Sequence, residues 1–128
     1  MNKSKISILP FSKALDSLTR VLREKKNDIV RDATIQRFEY TFELSWKLLK
    51  RYLESQNNTI EASIKNVFRE AGKLGLIDSV EHWFEYLDAR NLTSHTYNES
   101  TAEEVYKVAN RFEKSARFLL GRMEALLE

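Results

Sequence analysis

Side chains that could act on a phosphate group lie close together in the segment Arg90-Asn91-Leu92-Thr93-Ser94-His95-Thr96-Tyr97. An unperturbed histidine titrates near pH ~6.5, so His95 could exchange protons at neutral pH. Arg90 offers a planar, permanently charged set of donors that matches a phosphate. Asn91 and Ser94 are polar residues that could support either group, and Tyr97 ends the segment with a phenol hydroxyl. The segment is therefore a candidate site, with Arg90 and His95 as its catalytic residues.

A regular helix could not bring Arg90 and His95 to one small ligand. Successive residues of an α-helix are rotated by about 100°, so these two side chains would point about 140° apart, whereas Arg90 and Tyr97 would lie about 20° apart. Either the helix breaks between Arg90 and His95, or a second copy of the chain supplies the other half of the site. A purely structural interpretation is a polar helix end, in which Arg90 pairs with Glu85 or Asp88.

The spacing of apolar residues predicts that the elements around this segment are helices. Apolar side chains recur every three or four residues in five stretches, which is helical periodicity, and this repeat is typical of antiparallel helices crossing at about 20°. The stretches are Phe11 to Leu22, Ile35 to Leu53, Ile60 to Leu74, Val80 to Leu87 and Val105 to Leu126. We therefore expect an all-α protein, an antiparallel up-and-down bundle of four to five helices, with residues 1–128 in a single domain.

Two residue pairs mark the helices on either side of the polar segment. Asp78 with Glu81, and Thr101 with Glu104, each fit the capping-box pattern, in which the first residue caps a helix and the acid three residues later reaches back to it. These pairs predict the starts of the fourth and fifth helices. The connection between those two helices must therefore position the candidate site.

Composition excludes several classes of protein. Three glycines and one proline in 128 residues are too few for many tight turns, and we expect Gly72 and Gly75 to end the third helix. No run approaches the ~20 apolar residues that span a bilayer, and Met1 to Pro10 lacks the features of an export signal. The chain has no cysteine, no paired metal-ligand histidines and no zinc signature. We therefore expect no metal, no cofactor, no membrane association and a cytoplasmic location.

The same residues resemble a known family. Arg90-Asn91-x-x-x-His95-x-Tyr97 matches the Arg-x4-His-x-Tyr signature of HEPN domains, in the branch that is paired with minimal nucleotidyltransferases. The full run from Arg90 to Tyr97 is similar to the small proteins called nucleotidyltransferase substrate-binding. Further blocks resemble that family in the same order, namely Phe38-Glu39-Tyr40-Thr41-Phe42-Glu43-Leu44-Ser45-Trp46-Lys47, then Phe68-Arg69-Glu70-Ala71, then Trp83. The resemblance covers about residues 10–125.

The resemblance implies a HEPN-like bundle that forms a homodimer, with a cognate minimal nucleotidyltransferase bound on each side as a heterotetramer. It also implies the toxin component of a toxin–antitoxin pair, a metal-independent endoribonuclease that acts on RNA. The partner would silence this toxin by adding AMP units to the motif tyrosine, which is Tyr97 here. One alternative is a non-catalytic substrate-binding subunit of a nucleotidyltransferase complex, and another is an unrelated helical adaptor.

Overall fold

The computed structural model describes residues 6–56 and 63–127, and within these ranges the chain is helical and contains no strand. The helices are α1 (Leu9–Leu22), α2 (Asp28–Ser55), α3 (Ile64–Lys73), α4 (Val80–Asn91) and α5 (Glu99–Leu127), with a 3-10 turn at Thr93–His95 between α4 and α5. The predicted all-α bundle is confirmed. Ile60, with which the third apolar stripe was expected to begin, lies outside the described residues.

Helix α2 is at the centre of the bundle because it packs against each of the other four helices. Its Phe38 and Phe42 are fully buried, and the ring centroid of Phe38 lies 5.2 Å from that of Phe112 on α5, in an edge-on arrangement. Phe112 also meets the buried Trp83 of α4 at 5.5 Å, and Phe42 meets Phe68 of α3 at 5.9 Å. Each such side chain contributes about 1.5–3 kcal/mol on burial. This aromatic cluster therefore fixes α4 and α5 relative to α2.

The predicted cap of α4 is wrong by one residue. Ser79 caps the helix, since its hydroxyl accepts a hydrogen bond from the backbone N–H of His82 at 3.2 Å. Asp78 instead accepts from the indole N–H of Trp83 at 3.1 Å and from the hydroxyl of Ser115 at 2.8 Å. A buried indole N–H is costly to leave without an acceptor, and Asp78 satisfies it while Ser79 satisfies the helix end.

The predicted cap of α5 is also wrong, because the helix begins at Glu99 rather than after Thr101. The side-chain oxygen of Asn98 accepts from the backbone N–H of Thr101 at 3.1 Å, so Asn98 performs the capping function. The helix thus starts two residues after Tyr97, and the connection between α4 and α5 is shorter than the sequence pattern indicated.

Gly75 ends α3 as predicted, whereas Gly72 has a different function. Gly75 has a φ of 70°, and the backbone N–H of Leu76 donates to the carbonyl of Ala71 at 2.9 Å, which is the geometry of a left-handed helix cap. Gly72 lies inside α3, where a Cβ would overlap with Cγ2 of Val80. The missing side chain of Gly72 therefore lets the first residue of α4 pack directly against α3.

We expect Gly72→Ala to lower the free energy of unfolding by about 1–3 kcal/mol, because an added methyl group overpacks the contact with Val80. Gly121→Ala is the matched control, since Gly121 also lies in a helix but has nothing within 4 Å of the point that a Cβ would occupy. That variant should gain about 0.5–1 kcal/mol from helix propensity. Urea denaturation of both variants measures the difference, and a gain in stability for Gly72→Ala would contradict the close approach.

Candidate functional site

The helix breaks between Arg90 and His95, which is one of the two arrangements that the rotation argument allowed. Helix α4 ends at Asn91, and the chain then forms the 3-10 turn before α5 begins. The hydroxyl of Thr96 donates to the carbonyl of Thr93 at 3.1 Å, and the backbone N–H of His95 donates to the carbonyl of Leu92 at 2.9 Å. Such local hydrogen bonds compete with the regular helical ladder. We call residues 92–98 the motif turn.

Arg90 pairs with Glu43 of α2, and with neither Glu85 nor Asp88. Glu85 lies instead 3.4 Å from a guanidinium nitrogen of Arg111. The side chains of Arg90 and Glu43 are partly buried, at 24% and 29% exposure, so their attraction is screened less than that of a surface pair. The expected pairing of Arg90 with Glu85 or Asp88 of its own helix is therefore wrong, because its partner Glu43 lies on α2.

Two further contacts fix the Arg90–Glu43 pair. The second carboxylate oxygen of Glu43 accepts from the indole N–H of Trp46 at 3.1 Å. The guanidinium carbon of Arg90 lies 5.6 Å from the centroid of the Phe42 ring, within range of a cation–π interaction. The Nε of Arg90 is buried and has no hydrogen-bond partner among the described residues. Arg90 is thus oriented by α2 and retains donor capacity.

The motif turn is attached to α2 at its first residues as well. The hydroxyl of Thr93 lies 3.0 Å from a carboxylate oxygen of Glu39 and 2.8 Å from the carbonyl of Arg90, so it can donate to either. Glu39 and Glu43 stand four residues apart, on one side of α2. The sequence analysis did not identify these two acids as part of the site. The signal available was that both lie inside the block from Phe38 to Lys47 that resembles the family.

Arg31, near the start of α2, anchors the other end of the motif turn. Its guanidinium donates to Glu99 at 2.5 Å, to Asp32 at 3.0 Å and to Glu103 at 3.2 Å, while the arginine itself is only 5% exposed. Hydrogen bonds to these carboxylates, that to Glu99 above all, raise the pKa of Arg31. Because Glu99 is the first residue of α5, Arg31 holds the start of that helix against α2.

The remaining predicted site residues face solvent. His95 is exposed and Tyr97 is 86% exposed, and their ring centroids lie 6.0 Å apart at an interplanar angle of 69°. Asn91 and Ser94 are exposed too, and their side chains make no hydrogen bond to the rest of the described chain. Within residues 6–56 and 63–127, no hydrogen bond joins Arg90 to His95. In one chain the five residues therefore lie at the end of α4 and in the connection to α5, but they do not form a closed pocket.

The described residues contain no group of three or more His, Asp or Glu side chains that could hold a metal ion. No helix among them is long and apolar enough to cross a membrane. The site offers the guanidinium of Arg90, oriented by Glu43, together with the exposed imidazole of His95 and the exposed phenol of Tyr97.

Fold and site together define a class of protein, an all-helical bundle in which an arginine–histidine–tyrosine motif forms the connection between the last two helices. A family model described as "Nucleotidyltransferase substrate binding protein like" matches residues 7–125. The chain belongs to this family, and the resemblance recognised from its sequence is confirmed.

Individual relatives agree with this assignment. The chain is 40% identical over 93 residues to "Probable ribonuclease HepT" of Haemophilus influenzae, a match that covers 70% of this chain and 64% of the relative. The match therefore spans less than two-thirds of that protein. A crystal structure from Thermus thermophilus is 37% identical, with a TM-score of 0.81, and the match covers 88% of this chain and 98% of that one. A Haemophilus influenzae structure, described as revealing the fold of a substrate binding domain of a nucleotidyltransferase, is 30% identical, with a TM-score of 0.80 and coverage of 92% and 99%.

We expect the contacts of Glu103 to make the stability of the protein dependent on pH in the acid range. Hydrogen bonds from Lys26 and then Arg31 lower the pKa of Glu103 below its ordinary value of 4.5. A lowered pKa in the folded state contributes stability above the ordinary value, and this contribution is lost as the pH falls through the folded-state pKa. Glu103→Gln should therefore be less stable than the wild type at pH ~7, and the difference should shrink below pH 4.5.

Urea denaturation at a series of pH values measures this effect. Glu104→Gln is the control, because Glu104 is exposed and makes no ion pair with the other described residues. A difference between Glu103→Gln and the wild type that stays constant across the acid range would contradict the assignment to Lys26 and Arg31.

Proposed function

We propose that this protein is the toxin component of a HEPN/minimal-nucleotidyltransferase toxin–antitoxin pair, a metal-independent endoribonuclease that its partner neutralises by nucleotidylation of Tyr97. The observation that carries the proposal is the exposure of the motif turn, where the 86% exposed Tyr97 lies beside His95. A phenol so open can enter the active site of a second protein, and the neighbouring imidazole is open to an RNA strand. The name of the Haemophilus influenzae relative, a probable ribonuclease, supports the same activity.

The cleavage step needs proton transfer and charge stabilisation. The ribose 2′-hydroxyl attacks the adjacent phosphorus, the bond from phosphorus to the 5′-oxygen of the next nucleotide breaks, and a 2′,3′-cyclic phosphate and a 5′-hydroxyl remain. A neutral His95 accepts the proton of the 2′-hydroxyl, and a protonated His95 donates to the leaving oxygen. Arg90 stabilises the charge on the phosphorane. Because the nucleophile belongs to the RNA, a metal-bound water is unnecessary.

A homodimer would supply both histidine forms at once. Acid and base are needed in one cleavage step, and each motif turn offers a single histidine. If two motif turns face each other across a two-fold axis, one His95 acts as the base and the other as the acid. The absence of a hydrogen bond between Arg90 and His95 in the described part of one chain favours such a shared site.

The partner in this proposal is a cognate minimal nucleotidyltransferase, with one copy on each side of the dimer. The hydroxyl oxygen of Tyr97 attacks the α-phosphorus of ATP, pyrophosphate leaves, and the phenol proton passes to solvent or a base. The product carries an anionic nucleotide on the motif turn. RNA binding and modification should then exclude each other, because both place a phosphate at the same short segment.

The second candidate function is a non-catalytic substrate-binding subunit of a nucleotidyltransferase complex. The ion pair of Arg90 with Glu43 favours it, since a carboxylate already neutralises part of the charge that a nuclease would offer to RNA. In that case Tyr97 would still be presented to the partner, but the chain alone would not cut RNA. Cleavage by the isolated protein therefore separates the two candidates.

We expect His95→Ala and Arg90→Ala each to reduce RNA cleavage by about 10²–10⁴-fold, the usual cost of losing an acid–base group or a charge-stabilising donor. Cleavage by the wild type should persist in excess chelator and leave 2′,3′-cyclic phosphate ends, which end-group analysis of a short RNA detects. Dependence on a divalent cation, or ends with a 3′-hydroxyl, would be incompatible with this chemistry.

The His95→Ala variant also tests whether the site is shared between two chains. Wild type refolded with an excess of His95→Ala forms mainly mixed dimers, which contain one His95 and therefore lack either the acid or the base. Cleavage per wild-type chain that falls as His95→Ala is added supports a shared site. A monodisperse monomer in light scattering at micromolar concentration would contradict it.

We expect incubation with ATP, magnesium and the cognate transferase to increase the intact mass in steps of one AMP. Tyr97→Phe should prevent these steps because it removes the acceptor hydroxyl and keeps the ring. Tyr40→Phe is the matched control, since Tyr40 is another exposed tyrosine but lies on α2. Mass steps that persist in Tyr97→Phe would place the acceptor elsewhere.

A further inference from the structure

Three residues of α2 contact the segment from Arg90 to Glu99. Glu39 and Glu43 are four residues apart and lie on neighbouring turns of one side of the helix, whereas Arg31 lies about two turns nearer the start of α2. The contacts follow one another in reverse order along the two segments, Glu43 with Arg90, Glu39 with Thr93 and Arg31 with Glu99. The segment from Arg90 to Glu99 therefore lies alongside α2 and is attached to it at three points.

We propose that Glu43 and Glu39 are positioning residues of the motif. They hold Arg90 and Thr93 so that the part of the turn between Thr93 and Glu99 presents His95 and Tyr97 to solvent in a fixed orientation. The two acids act through the residues that they hold and do not touch the substrate. The expected effect of the two acids on RNA cleavage rests on the ribonuclease function proposed above.

The surroundings of Glu43 keep its carboxylate in one orientation. One oxygen accepts from Nη1 of Arg90, and the other accepts from the indole N–H of Trp46 at 3.1 Å. Trp46 stands three residues further along α2, so the helix itself fixes the position of the indole. A carboxylate held at both oxygens provides a rigid acceptor, and Arg90 is restrained further by the face of Phe42 at 5.6 Å.

The contact with Glu43 leaves Nη2 of Arg90 available to a phosphate. A guanidinium carries five N–H donors in a planar fork, and Glu43 engages Nη1. Nη2 donates no hydrogen bond to another described residue, whereas Nε, which also has no partner among them, is buried and not accessible to a phosphate from solvent. A guanidinium oriented on one side and unsatisfied on the other loses little conformational freedom when a phosphate binds. This geometry indicates that Glu43 positions Arg90 rather than only neutralising its charge.

Hydrogen exchange of the motif turn tests the positioning directly. The backbone N–H of His95 donates to the carbonyl of Leu92 at 2.9 Å, and that of Asn98 donates to the carbonyl of His95 at 3.2 Å. In Glu43→Ala and Glu39→Ala, these amides should exchange at least about tenfold faster, because the turn opens locally more often. Mass spectrometry of peptides covering residues 92–98 measures this effect.

Glu113→Ala is the matched control. Glu113 accepts from Nε of Arg117 on its own helix at 3.2 Å and from the hydroxyl of Thr19 on α1 at 2.7 Å, so it too holds an arginine and joins two helices. Its contacts connect α5 to α1 and do not involve the motif turn. Glu113→Ala should therefore leave exchange in residues 92–98 unchanged, even where its overall stability falls.

Cleavage kinetics test the consequence for catalysis. A displacement of about 1 Å at a reacting group costs roughly 10²-fold, so kcat of Glu43→Ala should fall by about that factor with a smaller change in KM. Glu43→Gln keeps one acceptor oxygen for Arg90 and should remain within about tenfold of the wild type. Cleavage by Glu43→Ala that is faster than in the wild type would overturn the inference, because Glu43 would then be a competitor of the phosphate.

The exchange and cleavage measurements separate two kinds of failure. If the wild type cuts no RNA, the proposed ribonuclease function fails, while the exchange data still decide whether the two acids position the turn. Unchanged exchange in both Glu43→Ala and Glu39→Ala overturns the positioning itself. Glu39→Ala keeps this test decisive if Glu43→Ala does not fold, because it removes only a contact at an exposed side chain.

Discussion

The ion pair between Arg90 and Glu43 is the contact on which the rest of the motif depends. It joins the end of α4 to the middle of α2, 47 residues earlier in the chain. Without such an attachment, the last turn of α4 would end in a polar segment with few buried side chains, and helix ends of that kind fray readily. Because the Arg90–Glu43 pair holds the end of α4, the helix ends at Asn91 and the motif turn leaves it in a fixed orientation relative to α2.

The aromatic core makes this ion pair effective. Phe42 lies under the guanidinium of Arg90 and also packs against Phe68 and Trp83, whose ring centroids lie 5.9 Å and 6.3 Å from its own. The position of the charged pair is therefore set by the buried aromatic core of the bundle. In this chain, aromatic residues and acids of α2 together hold Arg90.

The parts of this structure that depend on local rules could be predicted from the sequence. Apolar periodicity predicted the helices, and Gly75 was recognised as a helix end because a left-handed residue there favours glycine. The residue that caps α4 could not be predicted, because Asp78 and Ser79 are both good capping residues. The buried indole of Trp83 takes Asp78 as its acceptor and leaves Ser79 to cap the helix. Glu43 could not have been assigned to Arg90, because their contact depends on how α2 and α4 pack.

The charges around the motif turn bear on how modification would work under the proposed function. An AMP group attached to Tyr97 adds a negative phosphodiester two residues before Glu99, in a segment that Glu39 and Glu43 of α2 contact at Thr93 and Arg90. Those carboxylates disfavour a free anion nearby, so the added phosphate gains most by reaching a cation. Arg90 is oriented by Glu43 and its Nη2 has no partner among the described residues, so under this proposal it is the cation of the motif that receives this phosphate. Modification would then occupy the same donors that an RNA phosphate needs, and a single AMP would block catalysis without any change of fold.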